Sequence, residues 1–81
     1  MKARVYITLK RGIHDPQGQA VQQSLRTLGF SGVRDVRMGK ILDVTLDESD
    51  REKAEALLHE MCAKLLANPV IEDFHYTFDE E

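Results

Sequence analysis

Polar and apolar residues alternate without a break over residues 3–10. Ala3, Val5, Ile7 and Leu9 fall on one side, and Arg4, Tyr6, Thr8 and Lys10 on the other. A period of two predicts a strand with one buried face. The pattern changes completely over residues 10–18. Gly12 lets the chain turn out of the strand, and Asp15 is placed to cap a helix. Pro16 suits the first helical position, where its missing N–H is not needed. Over residues 16–28, Ala20, Val21, Leu25 and Leu28 recur at helical spacing, opposite Gln19, Gln22, Gln23 and Arg26. That predicts an amphipathic helix with its apolar stripe on the core, stopped by Gly29. Gly18 sits in the first turn, where glycine is a poor helix former. It signals either close approach of another backbone or a ligand, or a cap where glycine is tolerated.

Residues 33–46 read as extended. Val36, Met38, Leu42, Val44 and Leu46 share even parity, so they fall on one face of a continuous strand, whereas a tight hairpin at Gly39-Lys40 would split them. Parity therefore predicts one long strand bent or bulged at Gly39, with an end that protrudes and invites pairing with another chain. Ser49-Asp50-Arg51-Glu52 has the form of a capping box, with Ser49 as the cap. Ala54, Leu57, Leu58, Met61, Cys62, Leu65 and Leu66 then give the strongest helical periodicity in the chain, which Asn68-Pro69 ends. A last strand over 70–78 places Phe74, Tyr76 and Phe78 on one face, and an acidic tail, Asp79-Glu80-Glu81, frays. The order is β-α-β-α-β: an α+β fold, with two helices on one face of an antiparallel sheet and a long bent middle strand. It is a relative of the ferredoxin-like arrangement. The opposite face would carry Tyr6, Ile41, Ile71 and His75, a set apolar enough to favour association.

Eighty-one residues allow a single domain, 1–81. A core this small barely offsets the cost of ordering the chain, so association is expected from size alone. The net charge of −3 argues against nucleic acid as the main partner. Basic residues cluster at Lys2, Arg4, Lys10 and Arg11 and again at Arg34, Arg37 and Lys40, which suits solvated strand ends. A lone Cys62 forms no internal disulfide. No apolar run approaches the roughly 20 residues that span a bilayer, and residues 1–6 lack a signal-peptide core. A cytoplasmic location without membrane contact is expected.

Candidate chemistry is sparse. Cys62 falls on an apolar helical stripe, as inert core cysteines do. His14, His59 and His75 lie on a loop, a helix and a strand, with no ligand spacing between them. Gly12 and Gly18 flank a helix start that could attract an anion, but Asp15 already puts a negative charge there. The pattern is neither a Walker loop nor a dinucleotide fingerprint. No catalytic, cofactor-binding or metal-ligating residue is assigned.

The run Val5-Tyr6-Ile7-Thr8-Leu9-Lys10-Arg11-Gly12-Ile13-His14-Asp15-Pro16-Gln17-Gly18-Gln19-Ala20-Val21 resembles the N-terminal signature of the PurS family, the small subunits of formylglycinamidine ribonucleotide (FGAM) synthetase. Leu28-Gly29-Phe30 and Arg37-Met38-Gly39-Lys40 resemble a second signature, and Asn68-Pro69-Val70-Ile71-Glu72-Asp73-Phe74 a third. The resemblance implies a required subunit that bears no catalytic groups, in a complex that converts formylglycinamide ribonucleotide, ATP and glutamine to FGAM, ADP, phosphate and glutamate. ATP, Mg and glutamine would be used by a large synthetase subunit and a glutaminase subunit. This chain would form dimers or tetramers by strand pairing, hold the other two subunits together and support ammonia transfer. Expected contact residues are Lys10, Arg11, Gly12, Asp15, Gln17 and Gly18 on the loop, with Arg37, Gly39, Lys40 and Leu42 on the middle strand. The rival reading is a homo-oligomeric regulatory domain that binds a small metabolite, and a small phosphatase of similar topology is a third.

Overall fold

The first alternating stretch becomes the centre of the sheet, because its apolar side gains a neighbour on each edge. The computed structural model describes residues 1–79, so Glu80 and Glu81 of the predicted tail lie outside the described residues. The order is β1 (Lys2–Leu9), α1 (Pro16–Thr27), β2 (Gly39–Thr45), α2 (Arg51–Met61) continued by a π-helical turn (Cys62–Leu66), and β3 (Glu72–Asp79). The three strands lie in the order β2-β1-β3, with both pairings antiparallel.

Register carries the alternation into a layered core. Ala3 stands between Val44 and Phe78, Val5 between Leu42 and Tyr76, and Ile7 between Lys40 and Phe74. Leu58 of α2 and Cys62 at the start of the π turn pack in one core cluster with Ala3, Val5 and Ile7, and Ala54, four residues before Leu58, is buried on the same stripe. The π turn carries this stripe one step further. Ala67 N–H donates to the Cys62 carbonyl at 3.0 Å, five residues back, and both residues stay buried. The wider turn rotates Leu65 off the core. Leu65, expected inside, is therefore exposed; Leu57, in the regular helix before the turn, is exposed as well, and the buried stripe is narrower than the periodicity suggested. The α2 cap also differs by one residue. Glu48 Oε1 accepts from the amides of Ser49 and Asp50, and Asp50 rather than Ser49 caps the helix, accepting from Glu52 N at 3.0 Å.

Two larger expectations change. The middle strand is not long, since pairing with β1 begins at Gly39 and residues 33–38 belong to no strand. The two helices also do not share the sheet, for α2 alone covers it. α1 buries only Gly18 and gives no residue to the core cluster, and its Val21 and Leu28, with Phe30 beyond, are exposed. The shape shows the consequence. The radius of gyration is 16.2 Å and the extents are 49 × 29 × 14 Å, whereas a compact chain of this length has a radius of about 12 Å. The accessible surface is 6189 Å², against about 4,900 Å² for a compact monomer of this mass.

Candidate functional site

α1 and residues 33–38 form an arm: the helix runs out from the sheet and the chain returns along it. One face of α1 holds the return. Arg26 Nε donates to the Val33 carbonyl at 3.1 Å, and Gln22 Nε2 to the Arg34 carbonyl at 3.0 Å. Gly18, four residues before Gln22, lies directly against the Val36 carbonyl, where a Cβ would collide. These contacts satisfy carbonyls that a strand neighbour would otherwise take, which is why 33–38 survives outside the sheet. They also settle Gly18: the close approach is by the chain's own backbone.

Asp15 locks the base of the arm. It is the buried charged residue among those described. Its Oδ1 accepts from Gly18 N at 2.9 Å as an N-cap, and its Oδ2 accepts from Met38 N at 2.7 Å. Arg37 Nη2 adds a bond to the Lys10 carbonyl at 3.2 Å. Gly12 makes the turn into this junction at φ +84°. Gly39 opens β2 where a Cβ would come within 2.7 Å of the Ile7 carbonyl oxygen. The two segments singled out in the sequence are thus brought together at one junction. Lys10 pairs with Asp73 at 3.5 Å and Lys40 with Glu72 at 4.0 Å. Arg11 and Gln17 are exposed, and Leu42 is half-buried on the inner face of the sheet. An open notch of about 200 Å³ lies here, lined by Ile7, Leu9, Gln17, Met38, Lys40 and Glu72.

The amides of Gly18 and then Met38 hold the Asp15 carboxyl below its ordinary value of 3.8. The unfolded chain therefore takes up the proton first as pH falls. The contribution of Asp15 to stability is complete above the ordinary value and is lost as pH drops through the depressed one. The stability difference between the wild type and Asp15→Asn, measured by urea unfolding, should shrink steadily below about pH 4. Asp43 is also lowered, through its hydrogen bond with Arg4, so an Asp43→Asn background isolates the Asp15 effect.

The arm's apolar edge is the part sequence reasoning missed. Val21 and Leu28, with half-buried Leu25 between them, lie beside the stripe that holds the return segment. Phe30 and Met38 extend this exposed set. The periodicity of α1 announced an apolar face but not what would cover it.

Among the described residues nothing else gathers reactive groups. Burial pushes the Cys62 thiol up, away from the nucleophilic thiolate. Among the described residues no group of three His, Cys, Asp or Glu could hold a metal ion, and no helix is long and apolar enough to cross a membrane. Tyr6 and His75 stack on the outer sheet face, with centroids 4.6 Å apart. The Arg4–Asp43 pair at 2.8 Å crosses that face in an open depression of about 590 Å³.

Residues 2–80 match the family model described as PurS: Phosphoribosylformylglycinamidine (FGAM) synthase. Subunit PurS of this synthase from Bacillus subtilis is 48% identical over 79 residues, covering 98% of this chain and 93% of the relative. The B. subtilis PurS crystal structure has a TM-score of 0.87 and covers 98% of each chain. PurS of Methanocaldococcus jannaschii has a TM-score of 0.87 at 41% identity, covering 99% of this chain and 96% of that one. A chain in the structure of PurLQS from Thermotoga maritima has a TM-score of 0.84 at 26% identity, covering 94% and 93%.

Proposed function

Because this chain belongs to the PurS family of FGAM synthase subunits, we propose that it is the non-catalytic assembly subunit of that synthase in purine biosynthesis. It acts as a homodimer that bridges a glutaminase subunit and an ATP-dependent synthetase subunit and supports ammonia transfer between them. ATP, Mg and glutamine are used by those partners. The likeness to a chain of the Thermotoga maritima PurLQS structure supports an assembled role.

The observation that carries the reading is the arm. The chain exposes about 1,300 Å² more surface than a compact monomer of its mass, the difference between 6189 Å² and the expected value of about 4,900 Å². A standard interface takes about 800 Å² from each partner. The excess therefore suits a second copy covering the apolar edge of α1, with area left for other subunits. The contact is made by the arm rather than by pairing a long middle strand. The notch and the basic residues Arg11, Arg37 and Lys40 face outward at the arm's base and serve as contacts for partner subunits. The metabolite-binding rival loses its anion site, because the Asp15 carboxylate fills the α1 N-terminus.

The test is co-expression with the glutaminase and the large synthetase, with purification through a tag on this chain in glutamine and ADP. All three chains are expected to elute together. Elution of this chain alone overturns the reading.

A further inference from the structure

We propose that Asp15 is a positioning residue for self-association: it touches no partner, but fixes the angle at which the arm leaves the sheet. The inference rests on the reading that the arm meets a second copy.

The arm is internally tied along its length by Gln22, Arg26 and the Gly18–Val36 approach. It therefore moves as one body, and the freedom left to it is a hinge at its base. Two chain crossings form that base, one through residues 10–15 and one at Met38–Gly39. Asp15 spans both, through Gly18 N on the helix side and Met38 N on the return side. The Arg37 bond to the Lys10 carbonyl is exposed and competes with water, whereas Asp15 is buried. Without the carboxylate, the buried Gly18 amide and the part-buried Met38 amide lose their acceptor and the hinge opens to water.

A loosened arm samples many angles, and only one fits a second copy. Apparent affinity falls by the fraction of arms correctly placed. If about one arm in ten is placed, a dimer that needs two placed arms weakens about a hundredfold. Asp15→Asn retains one acceptor and donates where the second should accept, so it breaks the clasp with little change in volume. Gly18→Ala attacks the same clasp from the helix, through the Val36 carbonyl. Because both act on one joint, their effects on affinity are not additive.

The experiment has two readouts. Sedimentation equilibrium gives the dimer Kd of the wild type, Asp15→Asn, Gly18→Ala and the double variant. Paired spin labels at Thr27→Cys on the arm and Lys53→Cys on α2 give the arm-to-sheet distance in dilute monomer. The expected result is a single narrow distance in the wild type, broad distances in both variants, Kd raised about a hundredfold in each, and a double variant no worse than the weaker single. A narrow distance in both variants, or an unchanged Kd beside a wild-type dimer, overturns the proposal. A monomeric wild type would instead overturn the dimer reading, and the label distances would still decide whether Asp15 sets the arm.

Discussion

If the arm of α1 closes the proposed homodimer, Leu28→Lys should leave a folded monomer. Leu28 is 73% exposed within one chain, so its replacement removes little from the core. It caps the C-terminal end of α1, where a cation is favoured by the helix dipole. The monomer therefore tolerates the change. In a dimer closed by the arm, the same lysine would be taken from water without a partner. Loss of an apolar anchor at the heart of an interface costs about 2 kcal/mol or more, and a twofold contact counts it twice. The expected shift is about a thousandfold in dimer Kd. Small-angle scattering should give the monomer a radius of gyration near the 16.2 Å of the single chain, with an unchanged helix signal by circular dichroism. An undiminished dimer would move the interface off α1.

The second large effect lies in the core. Leu58→Ala should cost about 2–5 kcal/mol in urea unfolding. Leu58 is fully buried between the sheet and α2, beside Ala54 and Cys62. One helix covers the sheet, so no second layer can collapse into the space left behind. A small domain has roughly 5–15 kcal/mol in all, so this substitution leaves the chain marginal. Leu65→Ala is the contrast. It looks equivalent in the sequence, yet Leu65 is 82% exposed, and its truncation should stay within about 0.5 kcal/mol. A Leu65 effect as large as that of Leu58 would contradict the π turn.

Local chemistry was legible in the sequence wherever local forces decide. The alternation of β1, the Asp15-Pro16 start of α1 and the Gly29 stop all stand in the structure, because caps and pleats depend on near neighbours. The Asp50 cap was missed by one position because Glu48 competes for the Ser49 and Asp50 amides. Even parity over residues 33–46 suggested one strand, but parity cannot tell a strand neighbour from a helix that supplies side-chain donors. Gln22 and Arg26 do so here, and Gly18 makes room. The α1 stripe was assigned to this chain's own core, since periodicity reports an apolar face and not its owner. Leu65 failed for another reason: a π turn changes the period part-way along the helix. The glycines and charges of the two candidate contact segments mark a junction of the chain with itself. Two of those residues, Asp15 and Gly18, are engaged inside the chain.

The central claim is that this chain contributes assembly and not chemistry. It is tested most directly by FGAM formation with purified glutaminase and synthetase subunits, with and without this chain, driven either by glutamine or by free ammonia. Glutamine-driven turnover should collapse without the chain while ammonia-driven turnover by the synthetase persists. Lys40→Glu should lower only the glutamine-driven rate, in step with loss of the complex on size exclusion. A substitution in this chain that abolishes both rates while the complex elutes intact would contradict it.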